Sequence, residues 1–542
     1  MLRFLVSLLL FLAFIIPNVS YSQGYTAISG ATLINPADST TIPNGIILIK
    51  DSVIVAKGGE IPGRIPEDAR IIKADGKYII PGIIDASANL CSSGSLYSDT
   101  SVIDLTHRRS LRKENELFAE SYNETLRRYI ASGITSVYDI GGYCGHVPQI
   151  VHGRAIPGRY ETSHRLTLGN GSDPGAILLI SEKQIENIVR KTAADGAQFI
   201  YSETGSFSKK KANLLEILIR HSHDRGLSAI VNASDFPMAK AAARAGADAI
   251  TGEYLNTPID DEFLQYCFDN HTVILPRLWA GIAAEALISR QLDLCPVEHR
   301  LGDVFVISTL FDVYELGYDE MEDKHRRMLI EKNSVGVSKT AAENLGMMHS
   351  RGIAIALASG AGIPGVVHGP AIHHEMQLMA EAGFSAPEIL NMATNNAAKI
   401  LNKERRKGSL GKGMAADMVV LRSDPLENIE NCSDIEMVIK NGRIIRTDTL
   451  LKKNTATIAQ WQLNAYNDRN LRAFLRCYSD SVRVYNFPDE PAFAGKEKMR
   501  RVYSDFFQKA PDLHCKLVNR ITHGRFAIDK ELVTGIPGRE KF

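Results

Sequence analysis

The sequence predicts an α/β fold, a parallel sheet covered by helices, from three observations. Short apolar runs of strand length recur between residues 77 and 404, helical patterns separate them, and polar residues close each run. Eight such units close a TIM (β/α)8 barrel, and an open doubly wound sheet is the alternative. At 542 residues the chain exceeds what one hydrophobic core serves, so several domains of roughly 150 residues each are expected.

At the N-terminus, Arg3 precedes an apolar run from Phe4 to Ile16, and Ser20-Tyr21-Ser22 offers a small-x-small cleavage site. Residues 1–22 are expected to be a signal peptide, which makes the protein exported, periplasmic or extracellular. The run is too short to span a bilayer comfortably, so no membrane span is expected after cleavage. An uncleaved anchor is the alternative. Apolar content of 44% and charged content of 23% are ordinary for globular protein, and with a formal net charge of +0 nucleic-acid binding has no electrostatic support. Seven cysteines are scattered without a CxxC pair, so no structural zinc or redox motif is visible and their pairing cannot be read.

Residues 25–58 alternate apolar and polar positions (Ile28, Ala31, Leu33; Ile46 to Ile49; Val53 to Val55) between turns at Asn35-Pro36 and Asp51-Ser52, the pattern of a small antiparallel sheet. Gly413–Leu421 and Met437–Arg446, with an Asn441-Gly442 hairpin turn, read as strands of the same kind far downstream. Between these flanks the strand candidates are Ile79–Ile84, Ile134–Asp139, Phe199–Tyr201, Ser228–Val231, Ala249–Thr251, Thr272–Leu275 and Ile353–Leu357, with a weaker one near Arg165–Leu168. Ser385 with Glu388 makes a capping box, followed by an apolar stripe through Ile389, Ala393, Ala397 and Ile400. Gln291–Gly346 has no strand signal and reads as inserted helices, expected over the open end of the sheet. From Asn454 the pattern changes to a helix pair through Trp461, Leu463, Phe474 and Tyr478. A strand at Val482–Tyr485, a helix ending at Phe506-Phe507, and strands at Leu517–Ile521 and Phe526–Val533 follow.

The stretch Lys77 to Leu90 (KYIIPGIIDASANL) resembles the first barrel strand of the amidohydrolase superfamily, in its imidazolonepropionase-like branch. So do Ala131–Asp139 for the second strand, Ala245–Ile250 leading into the sixth, Met392–Ala398 for the closing helix, and Gly408–Asp417 for the return to a flanking β-domain. The resemblance covers residues 25–447. It implies a barrel over 77–404 and a composite β-sandwich from residues 23–76 and 405–448. Residues 455–542, especially AYNDRNLRAFLRCYSDSVRVYNFP and GKEKMRRVYSDFF, resemble the ketosteroid-isomerase-like (SnoaL-like) α+β cone, here incomplete because its last strands are missing.

The resemblance implies one or two divalent metals such as zinc at the barrel mouth, held by imidazoles and carboxylates and activating a water. In this chain the first strand carries Ser87 and Asn89 where the family has histidines. Tyr201 stands where the fourth strand offers a lysine, Asn232 where the fifth offers a histidine, Gly252 where the sixth offers a histidine, and Gly360 where the eighth offers the catalytic aspartate. None of these is a good ligand for a zinc-like ion, so no metal or other cofactor is predicted. Asp85, Asp139 and Glu253 end strands at the same face and are weak candidates for acid–base work. The bland alternative is that Asp85 orients loops and Glu253 is solvated. His373-His374-Glu375 reads as one turn of an amphipathic helix. His146, His152 and His164 are placed on loops, and His107 with Arg108-Arg109 at a solvated helix start.

The expectation is a pseudoenzyme that has lost metal-dependent hydrolysis and serves as a binding or scaffold protein. The alternatives are a hydrolase on carbon–nitrogen, non-peptide bonds, as the family implies, and small-molecule binding or isomerisation by the C-terminal domain. The partner, a small molecule or a protein, cannot be read, and a homo-oligomer stays open.

Overall fold

A computed structural model describes residues 24–59, 65–141, 159–162, 165–168, 177–331, 336–451 and 453–538. The targeting segment and His146, His152 and His164 lie outside the described residues. β1 (Tyr25–Asn35), β2 (Thr40–Lys50) and β3 (Val53–Gly58) run antiparallel in succession, as their alternation predicts. β4 (Arg70–Lys73) and β5 (Tyr78–Pro81) lie parallel to β1.

The first strand candidate, read as one run, is two strands in two sheets. Pro81 ends β5, and β6 (Ile83–Ala88) starts the parallel set. Gly82 makes the switch: its N–H donates to Asp417 O, and a Cβ there would come 2.2 Å from Thr135 Oγ1. The parallel set continues through β7 (Ile134–Asp139), β8 (Arg159–Thr162), β9 (Arg165–Thr167), β10 (Ile177–Leu178), β11 (Phe199–Glu203), β12 (Ser228–Asn232), β13 (Ala249–Thr251) and β14 (Val273–Leu275). Every pairing within it is parallel, in the orders β6-β7-β8 and β10-β9-β11-β12-β13-β14. The strands β8 and β10 were not among the strands expected from the sequence. Ile353–Leu357 forms no continuous strand, yet its neighbourhood joins the two ends of the set. Ile355 bridges Ile274, Ala361 bridges Ala88, Ala86 N–H donates to Leu357 O, and Gly360 N–H donates to Ser87 O.

Consecutive residues on these strands divide between two cores. Ile84, Phe199, Tyr201, Ile230, Ala249, Val273, Leu275, Ala356 and Ala358 pack in one, while Ile83, Ile200, Val231, Ile250, Ile274 and Leu357 pack under the helices in the other. The helices start where the sequence caps them. Ser110, Ser181, Ser208, Asp235, Asp260 and Ser338 each accept a hydrogen bond from the backbone three residues on, a contact worth about 1 kcal/mol apiece. His107 and Arg108 precede the first of these helices and pair instead with Glu320, while Arg109 pairs with Glu114.

The chain then returns to the first sheet. β15 (Met418–Leu421) lies antiparallel to β5, followed by β16 (Ile435–Lys440) and β17 (Arg443–Arg446) across the Asn441-Gly442 turn, both of whose residues have positive φ. One eight-stranded sheet results, in the order β17-β16-β15-β5-β1-β2-β3 with β4 on β1. It curls until the β3 edge meets the approach to β15, where Ile54 N–H donates to Met414 O. Inside it Lys440 Nζ and Asp417 Oδ2 pair at 2.6 Å with Lys440 fully buried.

The C-terminal unit has helices Thr455–Asn467 and Leu471–Arg476, β18 (Arg483–Asn486), β19 (Glu490–Ala494), helix Lys496–Lys509, β20 (His514–His523) and β21 (Phe526–Thr534). Phe474, Leu475, Met499 and Phe507 form its core. It docks on the inserted helices. His299 and Asp468 meet there, Asn464 Nδ2 donates to Val304 O at 2.7 Å, and Asn470 Nδ2 donates to Leu294 O at 2.9 Å. Among the described residues no helix is long and apolar enough to cross a membrane.

Candidate functional site

A cavity of about 1140 Å³ opens where the parallel strands end. It is the position at which α/β folds bind ligands, because the strand ends and the loops after them converge there. Asn89 follows β6, Thr167 ends β9, Tyr201 and Glu203 lie on β11, Asn232 ends β12, and Thr251, Gly252 and Glu253 end and follow β13; all of them line it. From the insert, Gly336, Val337, Ser338 and Ala341 complete the wall.

Of the positions where the family resemblance implies metal ligands, Asn89, Tyr201, Asn232, Gly252 and Gly360 line this one cavity. Ser87 does not: it is fully buried, and its Oγ has no hydrogen-bond partner. The resemblance implies divalent metals here, and the donor set does not fit them. Among the described residues no group of three His, Cys, Asp or Glu side chains converges in this cavity. The backbone and surroundings at two of the positions also disfavour any side chain. Gly252 has φ 132°, and a Cβ there would come 2.0 Å from Ala233 O; Gly360 has φ 66°, and a Cβ there would come 2.6 Å from Ala280 Cβ.

A cation nevertheless stands in the space. Arg277, just past β14, takes a left-handed backbone conformation (φ 49°, ψ 46°) and caps helix Leu278–Ile288. Its Nη1 donates to Tyr201 Oη at 3.3 Å, and its Nε lies 3.2 Å from where a Gly360 Cβ would be. The helix it precedes is already satisfied from elsewhere, since Leu278 N–H and Trp279 N–H donate to the Glu375 carboxylate at 2.8 and 2.9 Å. Burial raises the Glu375 carboxyl to about 7, against those two N–H groups, His374 and Arg277, which lower it. Lys211 is the other lining cation, and Asp99, Glu203, Glu253 and Glu285 are the lining acids.

Asp85 and Asp139 do not join Glu253 in an acid–base trio. Both are buried in the wall and bonded to backbone. Asp85 accepts from Ser359 N–H at 2.9 Å, Ser359 Oγ–H at 2.5 Å and Ser87 N–H at 3.3 Å, clasping the last parallel segment to the first. Asp139 accepts from Leu90 N–H and Gly141 N–H, both at 3.0 Å. Burial raises each of them to about 6. Glu253 is exposed to the cavity.

His373, His374 and Glu375 are buried on helix Ala371–Glu381 and point three ways. His373 Nε2 reaches Ser132 O at 3.0 Å, His374 Nδ1 reaches Glu298 at 2.8 Å, and Glu375 caps the neighbouring helix.

Arg277, Glu203 and Glu285 were missed in the sequence. Two signals were available. Arg277 is a basic residue directly beyond a parallel strand's C-terminal end, and Glu203 lies two residues past Tyr201, on the same face once β11 is seen to run through it.

Among known proteins, residues 294–445 match the amidohydrolase family model and residues 459–541 match the model of a SnoaL-like domain. No curated protein matches the chain. Solved structures do. A Xaa-Pro dipeptidase, crystallised with methionine in its active site, is 18% identical with a TM-score of 0.60, covering 78% of this chain and 100% of that one. Molinate hydrolase is 17% identical with a TM-score of 0.60, covering 80% and 97%. The ochratoxinase of A. niger is 17% identical with a TM-score of 0.57, covering 79% and 96%. At these identities the likeness shows the fold: mixed α/β with a β-rich domain before it, as in those hydrolases. By sequence, residues 294–445 are similar to the amidohydrolase family, and a stretch similar to a SnoaL-like domain, residues 459–541, follows them.

Proposed function

We propose that the parallel strands form a closed TIM (β/α)8 barrel flanked by a composite β-sandwich, and that its mouth binds a small organic ligand instead of a catalytic metal. The observation that carries this is Arg277, whose guanidinium stands beside Tyr201 and Gly360 in the cavity. A fixed positive charge there repels a divalent cation, and the amides and phenol around it cannot offset a metal's desolvation. The same group favours a ligand with a carboxylate or similar anion, which a guanidinium grips with paired N–H donors. The SnoaL-like unit would add a binding or dimerising surface, and the N-terminal segment would send the protein out of the cytoplasm.

A second reading is hydrolysis of carbon–nitrogen, non-peptide bonds. It is favoured by the hydrolases among the solved likenesses and by the carboxylates Glu203 and Glu253 in the cavity. One experiment separates the two. The purified protein is offered N-acyl amino acids and cyclic amides, with and without zinc and with and without chelator. Binding without turnover, weakened in Arg277→Met, supports the first reading. Turnover that chelator abolishes overturns it.

A further inference from the structure

Away from the cavity, the turn into the short helix Pro296–Leu301 faces helix Ala371–Glu381 beneath the C-terminal unit. Here Cys295, Glu298 and His374 bring a thiol, a carboxylate oxygen and an imidazole nitrogen within 4.8 Å of one another, and all three residues are buried. Among the described residues no other group of three such side chains is so close. We propose that Cys295, Glu298 and His374 form a binding site for one zinc-class divalent cation, separate from the barrel cavity.

Three observations support it. First, the Glu298 carboxylate is 0% exposed and only half used. Its Oε2 accepts from Cys295 N–H at 2.9 Å and from His374 Nδ1 at 2.8 Å, whereas Oε1 has no partner. A buried carboxylate oxygen without a partner is costly, and native proteins rarely leave one without an ion or water. Second, the donors are held in place. Cys295 and Glu298 are fixed across one helical turn by their capping interaction, and Trp279 stacks on the His374 ring with centroids 3.8 Å apart. Third, thiolate, imidazole and carboxylate together suit zinc, cobalt and similar ions, where magnesium and calcium require oxygen alone. Coordination displaces the thiol proton and the proton between His374 and Glu298 to solvent. The His374 side chain is 11% exposed, so a water can take the fourth position. The next residue, His299, bonds Asp468 of the C-terminal unit, so the ion would brace the junction between the two parts of the chain.

The test uses the full chain, stripped with chelator and titrated with zinc and then with cobalt. One equivalent should bind, cobalt should give a sulfur-to-metal charge-transfer absorption, and Trp279 fluorescence should shift. Cys295→Ser should remove that absorption, and Glu298→Gln should weaken binding at least about tenfold. Cys267→Ser, at a buried free cysteine elsewhere, should change neither. Metal-free melting curves identify a variant that has lost its fold, in which case Cys295→Ala and Glu298→Asp replace it. Wild-type protein that binds no zinc overturns the proposal, as does zinc binding that Cys295→Ser leaves intact. In that last case the ion sits elsewhere, and its loss on blocking the barrel mouth would count against the metal-free reading of the cavity instead.

Discussion

The Nε of Arg277 lies 3.2 Å from the point where a Cβ on Gly360 would sit. The side chain of one residue occupies the room that the other would need to carry a carboxylate. Restoring the family's aspartate with Gly360→Asp should therefore cost stability, on the order of 2–4 kcal/mol from positive φ and crowding against Ala280. Adding Arg277→Ala should recover part of the loss. Urea denaturation of the two single variants and the double variant measures the coupling, and strictly additive losses would disprove it.

Asp85 makes stability depend on pH. Burial raises its carboxyl from 3.8 to about 6, so the folded state holds the proton more tightly than the unfolded one. That contribution is complete below the unfolded value and lost as pH rises through the folded one. The difference corresponds to roughly 3 kcal/mol. Wild type should lose that much relative to Asp85→Asn between pH 4 and 7, read from denaturation midpoints across the range. His368 and His373, whose burial lowers them to about 4, act in the opposite sense: their stabilisation is present above the usual imidazole range and is lost as pH falls through 4.

Glu375 caps a helix that is distant in sequence. Glu375→Ala leaves Leu278 N–H and Trp279 N–H buried without acceptors, which should cost about 2–4 kcal/mol. Glu375→Gln keeps one acceptor and should cost less. Thermal melts rank the three proteins, and Trp279 fluorescence should change in the alanine variant first.

The C-terminal unit depends on His299 and Asp468, whose side chains are 2.5 Å apart and both 0% exposed. Asp468→Ala also removes an acceptor from Leu294 N–H. Breaking a buried pair of this kind costs about 3–5 kcal/mol. Limited proteolysis should then cut near residues 447–455 and release the unit, while wild type resists. Equal resistance would show that the other junction contacts suffice.

The strands at Ile134–Asp139 and Ala249–Thr251 were legible to the residue, as were the Asn441-Gly442 turn and the Ser385 capping box, because each is encoded by neighbouring side chains. The split at Pro81-Gly82 was half legible: the breaker could be read, but that it hands the chain from one sheet to another depends on Asp417, far downstream. Ile353–Leu357 had the composition of a strand and became a single isolated bridge, Ile355 to Ile274, because the packed partner decides what pairs and local propensity does not.

The sequence by itself determined the alternation of strands and helices, the presence of strands of one kind on both flanks, and the identity of the side chains available at the strand ends. Those are matters of periodicity, capping and residue chemistry. Only the tertiary structure decided what these side chains do: that Asp85 and Asp139 turn into the wall, that Arg277 reaches Tyr201, and that Cys295 and Glu298 meet His374. Contacts between residues tens of positions apart are set by how the packed elements face one another, and no local pattern carries that information.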